Sequence, residues 1–518
     1  MREKDFYRRG FRGPRVPSPS KQGRIPREII EFFHAQGGHS LIVKGPAGTG
    51  KTTFALQLTE ELGQVAAAHY LSTRVSDASL FNQFPWLKER LKGPVVQGSK
   101  EADAHAGRVS RKSLDVLTGK LERGELADDD PGVEKQGAAV QQGFLEVDLG
   151  TDLPEVEKAY EFVEGALPGR ALVLIDSIDA LAERYGIAAT RLINTVQQDL
   201  VENSSVNVLY VLEGSGETRL DYLGDGVVSL ASTDHAGRRL RVMTIEKLRG
   251  QEVRQPRYLY TLDGGRLMAF DISEKPKAAK PEAWKAHADL SKDAVSTGAA
   301  EIDALCGGLS RGRVTAFHIA NGVPADYVDW LRAAMVCNAV TLGRGVAHVP
   351  PRKGTTDFLR ELVSPHLPSG TFEGHVRVFE PASLGHVEQS ANALPLEGSN
   401  VETDLKWSNV EYRLPQSGRP FLALMAFDTL ESVYGDKVLE EMSGVLASVR
   451  RARDVFVGFA TPQSASAAKL ENLASVVIHV ESVQGSVVLY GEKPYTGLFN
   501  LSFDWTSGVP EARLRPIV

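Results

Sequence analysis

The chain has 518 residues, 42% of them hydrophobic and 24% charged, with a formal net charge of −7. That length exceeds one ordinary core and predicts two to four domains at roughly 150 residues each, while the acidic balance excludes a generic polyanion binder. Cys306 and Cys337 are its 2 cysteines, too few and too far apart for a disulfide framework or a four-ligand zinc site, so a cytoplasmic protein is expected.

No apolar run reaches the ~18 residues of a membrane span, and the charged N-terminus lacks the apolar segment of a signal peptide, so no membrane contact is expected. Residues 1–27 set Arg8, Arg9, Arg12, Arg15, Arg24 and Arg27 against Glu3 and Asp5. They read as a flexible basic arm, either solvated or touching nucleic acid or an acidic surface. The apolar run Leu41, Ile42, Val43 then leads into Gly45, Pro46, Ala47, Gly48, Thr49, Gly50, Lys51 and Thr52, with Thr53 to Leu58 following at helical spacing. This is the G-x-x-x-x-G-K-[ST] pattern in its required strand, loop and helix order. Backbone N–H groups freed by the glycines point at phosphates, Lys51 reaches the β/γ-phosphates and Thr52 offers its hydroxyl to Mg²⁺. Gly45 through Thr53 are therefore predicted to bind ATP.

A short strand over 66–71 ends in Ser72, Thr73 and Arg74, and a helix is expected through Leu80, Phe81, Phe84, Trp86 and Leu87. Periodicity is lost from 92 to 150, which reads as an exposed insertion. Ala171 to Ile175 then run into Asp176 and Ser177. A buried parallel strand ending in a carboxylate downstream of a phosphate loop is a Walker B element, with Asp176 placed for Mg²⁺. A helix after Thr190, a strand over 206–212 ending at Glu213, and strands over 227–230, 240–245 and 257–262 complete an α/β plan. The sheet is mainly parallel and closed by antiparallel strands.

These elements, with Gly224-Asp225-Gly226-Val227 and Glu246-Lys247-Leu248-Arg249-Gly250, resemble the RecA/KaiC superfamily of ATPases, and within its KaiC-like branch the gas-vesicle regulatory ATPases. In KaiC-like proteins the Lys-x-Arg motif contacts the γ-phosphate held by a neighbouring subunit. The resemblance thus implies that Lys247 and Arg249 act in trans and that the chain forms a homo-oligomeric ring or filament. It extends into the second half. After a Lys/Pro/Ala-rich linker, Ser296, Thr297, Gly298, Asp303, Gly307, Gly308, Leu309 and Gly312 look like the entry to a second KaiC domain. The strand over 314–319 that follows should carry a phosphate loop, yet Ala320 to Tyr327 contain no cation, and Asp326 would repel phosphate. Residues 346–352 parallel 68–74, the strand over 421–427 with Asp428 and Thr429 parallels Ile175 to Ser177, and Glu492 and Lys493 parallel Glu246 and Lys247, with Tyr495 in the place of Arg249. An internal duplication follows, its second copy stripped of nucleotide chemistry. Asp428 reads as a relic or a helix cap. The expected architecture is a basic arm (1–27), a RecA/KaiC-like domain (28–272), a linker (273–290) and a degenerate RecA/KaiC-like domain (291–518).

Family members usually carry a glutamate after the second strand to polarise water, where this chain has Ser72, Thr73 and Arg74. A cation cannot serve as that base, so slow hydrolysis is expected. Glu213 is the carboxylate placed to substitute or to sense the γ-phosphate, whereas Asp179 is expected to point along the helix after Walker B. Three function classes are open: an ATP-gated regulatory module with a protein partner, a DNA-associated motor or recombinase, and a nucleotide-binding scaffold without turnover. The segment between Glu213 and Gly226 is too short for a recombinase's DNA-binding loop, and no basic stretch with interleaved aromatics occurs beyond the arm. The regulatory class is therefore preferred, and DNA is not favoured as a partner.

Overall fold

In the computed structural model the described residues are 25–62, 67–72, 82–90, 153–214, 219–272, 280–352, 354–382, 392–412 and 419–518. The insertion at 92–150, Thr73, Arg74, Leu80, Phe81 and nearly all of the basic arm lie outside them. The chain divides into two compact units, one built mainly on residues 22–235 and 240–271, the other mainly on 272–517.

The strands of the first unit are β1 (Ser40–Gly45), β2 (Ala67–Ser72), β3 (Ala171–Asp176), β4 (Asn207–Glu213), β5 (Gly226–His235), β6 (Arg238–Leu248), β7 (Arg257–Thr261) and β8 (Met268–Phe270). They form one sheet in the order β2-β3-β4-β1-β5-β6-β7-β8. β1 to β5 pair in parallel, and β6, β7 and β8 pair antiparallel. The parallel strands are continuous apolar runs because both faces are covered. Alternate residues divide between two cores: Ile42, Val173, Ile175, Val208 and Tyr210 lie on one face, and Leu41, Val43, Leu172, Leu174, Leu209 and Val211 on the other. The first face receives helices Pro154–Ala166, Ile178–Tyr185 and Ala189–Val196; the second receives helices Arg27–His34 and Lys51–Leu62. Each fully buried Leu, Ile or Phe contributes about 1.5–3 kcal/mol.

Local signals fix the ends of these helices. The Ser177 hydroxyl accepts from the Ala180 N–H to start helix Ile178–Tyr185, and Gly186, in the left-handed region at φ 62°, stops it. Helix Ala189–Val196 widens into a π-helical turn over Gln197–Glu202.

The second unit contains β9 (Ala294–Val295), β10 (Leu309–Ser310), β11 (Val314–Ile319), β12 (Val346–Val349), β13 (Val376–Pro381), β14 (Ala393–Leu396), β15 (Leu422–Ala426), β16 (Val455–Ala460), β17 (Val476–Val483), β18 (Ser486–Lys493), β19 (Phe499–Asp504) and β20 (Glu511–Pro516). Ten of them form a sheet in the order β14-β13-β12-β15-β16-β11-β17-β18-β19-β20. From β12 onward this repeats the strand order of the first unit, and β13 and β14 have no counterpart among the described residues of that unit. Two tandem RecA-like α/β domains are therefore present, as the duplicated motifs predict. The segment with Ser296, Thr297 and Asp303 has a structural role. The buried Asp303 carboxylate accepts from Ser296 Oγ at 2.5 Å and from Thr297 N and Oγ1, each at 2.7 Å, closing the turn before helix Ala300–Cys306.

The second sheet covers two unusual polar groups. Arg332, on helix Ala325–Thr341, is 6% exposed, lies 4.5 Å over the Phe459 ring and donates to Asp329 at 3.5 Å. Burial lowers its pKa to about 10. His348 on β12 is buried, with Nδ1 3.2 Å from the Leu424 carbonyl. Burial, assisted by the Arg332 charge, lowers its pKa to about 3.

Candidate functional site

β1 delivers the loop Gly45–Thr52 to the C-terminal edge of the first sheet, and helix Lys51–Leu62 carries the chain away. Gly48 has φ 76°, which L side chains rarely adopt, and a Cβ on Gly45 would collide with the Leu230 carbonyl oxygen. The loop's carbonyls are held by side chains. Lys51 Nζ donates to Gly45 O at 2.6 Å and Pro46 O at 3.0 Å, and Thr49 Oγ1 donates to Pro46 O at 2.8 Å. Arg241 donates to Gly48 O at 3.0 Å and Tyr260 OH to Thr49 O at 2.6 Å. Carbonyls tied back in this way leave the loop's N–H groups to line an anion-binding concavity.

Two strands away, β3 ends at Asp176, whose Oδ2 accepts from Thr52 Oγ1 at 2.7 Å. The two predicted Mg²⁺ ligands are thus brought together. Hard oxygen donors on a hydroxyl and a carboxylate fit Mg²⁺, which keeps its remaining positions for water and phosphate. Tyr70 on β2 donates to the same Asp176 oxygen at 2.8 Å. Burial, then the Asp176 carboxylate, raises its pKa, which keeps the phenol a donor. Glu213, at the end of β4 and in register with Gly45, is exposed beside the loop. Asp179 does not simply follow its helix: its carboxylate accepts from the Glu213 N–H at 2.6 Å.

Lys247 and Arg249 stand at the opposite edge. The end of β6 adjoins the start of β5, since the Arg249 N–H donates to Asp225 O at 2.9 Å, and Gly226 pairs with Leu41 near the start of β1. Lys247 Nζ donates to Gly224 O at 2.6 Å and Asp221 O at 3.3 Å, and burial, then the Arg249 charge, lowers its pKa. Arg249 is 62% exposed and pairs with Asp225 at 3.2 Å. Asp225 also accepts from Ser40 N at 3.1 Å, Ser40 Oγ at 2.9 Å and Gln197 Nε2 at 3.2 Å. The π-helical turn thus supplies Gln197 to the carboxylate that holds Arg249. Lys44 on β1, 2% exposed, bridges Asp221 at 2.8 Å and Glu246 at 2.9 Å. Burial opposes its charge, and the two carboxylates more than offset this, so its pKa is raised.

In the second unit, the segment where a phosphate loop would sit joins β11 directly to helix Ala325–Thr341, with Asp326 exposed in the helix's first turn. Asp428 accepts from the Arg352 N–H at 3.2 Å. It lies in the first turn of helix Phe427–Tyr434, holds the turn at Arg352 against it, and makes no side-chain cap to that helix. Sequence reasoning missed Tyr70, Arg241, Tyr260 and the gathering role of Asp225. Only Tyr70 had a signal, since it lies two residues before Ser72 on the same face of a strand and Ser72 is in register with Asp176.

Residues 29–246 match the family described as GvpD gas vesicle protein, P-loop domain. The chain is 26% identical to Protein GvpD2 of Halobacterium salinarum, an alignment covering 98% of this chain and 99% of the relative. It is 21% identical to Protein GvpD1 of the same organism, covering 95% and 97%. Together with the phosphate loop and Walker B carboxylate just described, the match over residues 29–246 supports a P-loop domain similar to that of GvpD in the first unit, and the likeness to the two Halobacterium salinarum proteins extends over nearly the full length of the chain.

Proposed function

We propose that this chain is an ATP-binding regulatory protein of the gas-vesicle system, in which ATP at Gly45–Thr53 controls the association of copies of the chain and of a protein partner, with slow hydrolysis resetting the state. Thr52 and Asp176 would hold Mg²⁺, which when bound neutralises charge on the β/γ-phosphates. Lys51 would exchange the two loop carbonyls for phosphate oxygens.

The observation that carries this reading is the placement of the charged groups at two opposite edges of one sheet. Five residue steps along β1 separate them by roughly 16 Å, too far for Lys247 or Arg249 to touch a triphosphate in their own loop. They suit a triphosphate held by the next copy, and Arg249, being the more exposed, would exchange its Asp225 partner for that contact. Slow turnover is supported by the commitment of Asp179 to a backbone N–H, which leaves Glu213 as the carboxylate beside the loop to orient water. The second unit, without a phosphate loop, would serve the partner.

Light scattering on size-separated protein, with and without ATP and Mg²⁺, tests this. The wild-type chain should assemble with ATP, Lys51→Ala should neither bind ATP nor assemble, and Arg249→Ala should bind ATP with unchanged affinity yet stay dissociated. Phosphate release should run well below the ~10 s⁻¹ median of enzymes. ATP-driven assembly by Arg249→Ala at wild-type levels would refute the trans contact.

A further inference from the structure

We propose that the second unit carries an anion site, separate from the P-loop, that takes the oligophosphate group of a small molecule. It is an open cavity of about 710 Å³, at the sheet edge where β11 begins, lined by Arg311, Arg313, Arg450 and Arg453 with a single carboxylate, Asp293. Two arginines come from the turn before β11 and two from the end of helix Ser443–Ala452 and the residue after it. The two segments are locked together. The Gly312 N–H donates to Asp454 O at 2.7 Å, and a Cβ on Gly312, at φ 67°, would come within 3.1 Å of Arg450 O. Arg453 adopts a left-handed conformation, φ 57°, uncommon for a side-chain-bearing residue, and pairs with Asp293.

Local charge balance does not account for the cluster. Basic residues in a helix's last turn offset its dipole, which explains Arg450 but neither Arg311 nor Arg313 across the cavity. Arg311 shares Asp289, at 3.0 Å, with Arg344, which holds both oxygens of that carboxylate at 2.9 Å and 2.7 Å. Its Nε is buried without a hydrogen-bond partner. Among the described residues, the exposed guanidinium groups of Arg313 and Arg450 have no ion pair. Like charges gathered in one concavity repel, and a bound anion removes that cost.

Planar guanidinium forks match phosphate oxygens two at a time. The volume is that of a small-molecule site. No aromatic side chain lines it, so it offers no stacking platform for the bases of a single strand. The ligand class is therefore a di- or triphosphate, free or as the tail of a nucleotide.

The test is calorimetric titration of inorganic tripolyphosphate into the full chain carrying Lys51→Ala, in magnesium-free buffer. Saturable binding near one per chain is expected, weakened at least tenfold by adding Arg313→Ala and Arg450→Ala. Both side chains are exposed, and an unchanged melting temperature would show that the fold is intact. ATP in place of tripolyphosphate separates the sources: equal affinity assigns the free anion, tighter binding the nucleotide, and both sustain the site. Absence of saturable binding, or binding indifferent to the two substitutions, overturns it. So does retention of only a glutamate-rich peptide or a DNA duplex, which would make the cavity part of a macromolecular surface.

Discussion

His348 gives the second unit a built-in sensitivity to acid. Its imidazole is 3% exposed and its pKa falls to about 3, because burial opposes the charged form and Arg332 on the facing helix adds repulsion. In the unfolded chain the group titrates near ~6.5. A lowered folded pKa means that the unfolded state binds the proton first. Stability is therefore fully present above ~6.5 and declines as pH falls toward the folded value. Between pH 7 and pH 4.5 the loss from this one group is about 2–3 kcal/mol. Urea unfolding followed by tryptophan fluorescence reads it selectively, since Trp284, Trp330, Trp407 and Trp505 lie in the second unit and only Trp86 in the first. The comparison is with His348→Val, which puts an apolar β-branched side chain on a fully buried strand but frees the Leu424 carbonyl, costing about 1–3 kcal/mol at every pH. The quantity tested is the difference in pH slope, which removes the carboxylates common to both proteins. Wild type should lose about 2–3 kcal/mol more than the variant over this range. Parallel profiles, within about 0.5 kcal/mol, would refute the reasoning.

Lys44→Met should destabilise the first unit by about 3 kcal/mol, because Asp221 and Glu246 lose the buried cation between them; calorimetry should show its melting transition lowered by about 6–12 °C. Tyr70→Phe removes one donor from Asp176 and should weaken Mg²⁺-dependent ATP affinity about fivefold while leaving the fold intact, as read by titration calorimetry. Asp428→Asn should leave ATP affinity unchanged, because that carboxylate serves the Arg352 N–H in the other unit.

What the sequence discloses depends on whether a function is local in the chain. The phosphate loop is legible because its chemistry needs consecutive residues, and Asp176 because a buried strand announces itself as an unbroken apolar run. The duplication was legible from the recurring order of such runs. By contrast, Arg241 and Tyr260 reach the loop's carbonyls from strands roughly two hundred residues later, and no spacing rule connects them to it. The Arg311 and Arg450 pair fails for the same reason, since the cavity exists only once β11 and β16 lie side by side. The role of Asp303 is hidden differently: Ser296, Thr297 and Gly298 resemble a family entry motif, and no spacing shows that Ser296 and Thr297 donate to one buried carboxylate. The π-helical turn left no trace in composition, because a single extra residue in a helix changes register without changing residue type.

The strands beyond β12 bear on how the second sheet ends. Its outermost strand, β14, contains Pro395, opposite Glu380 of β13. A proline has no N–H to give, so a foreign chain attempting to extend the sheet from that side would meet an incomplete row of donors. This outer strand thus discourages growth of the sheet into an aggregate, a useful property in a protein whose proposed work requires many copies to meet.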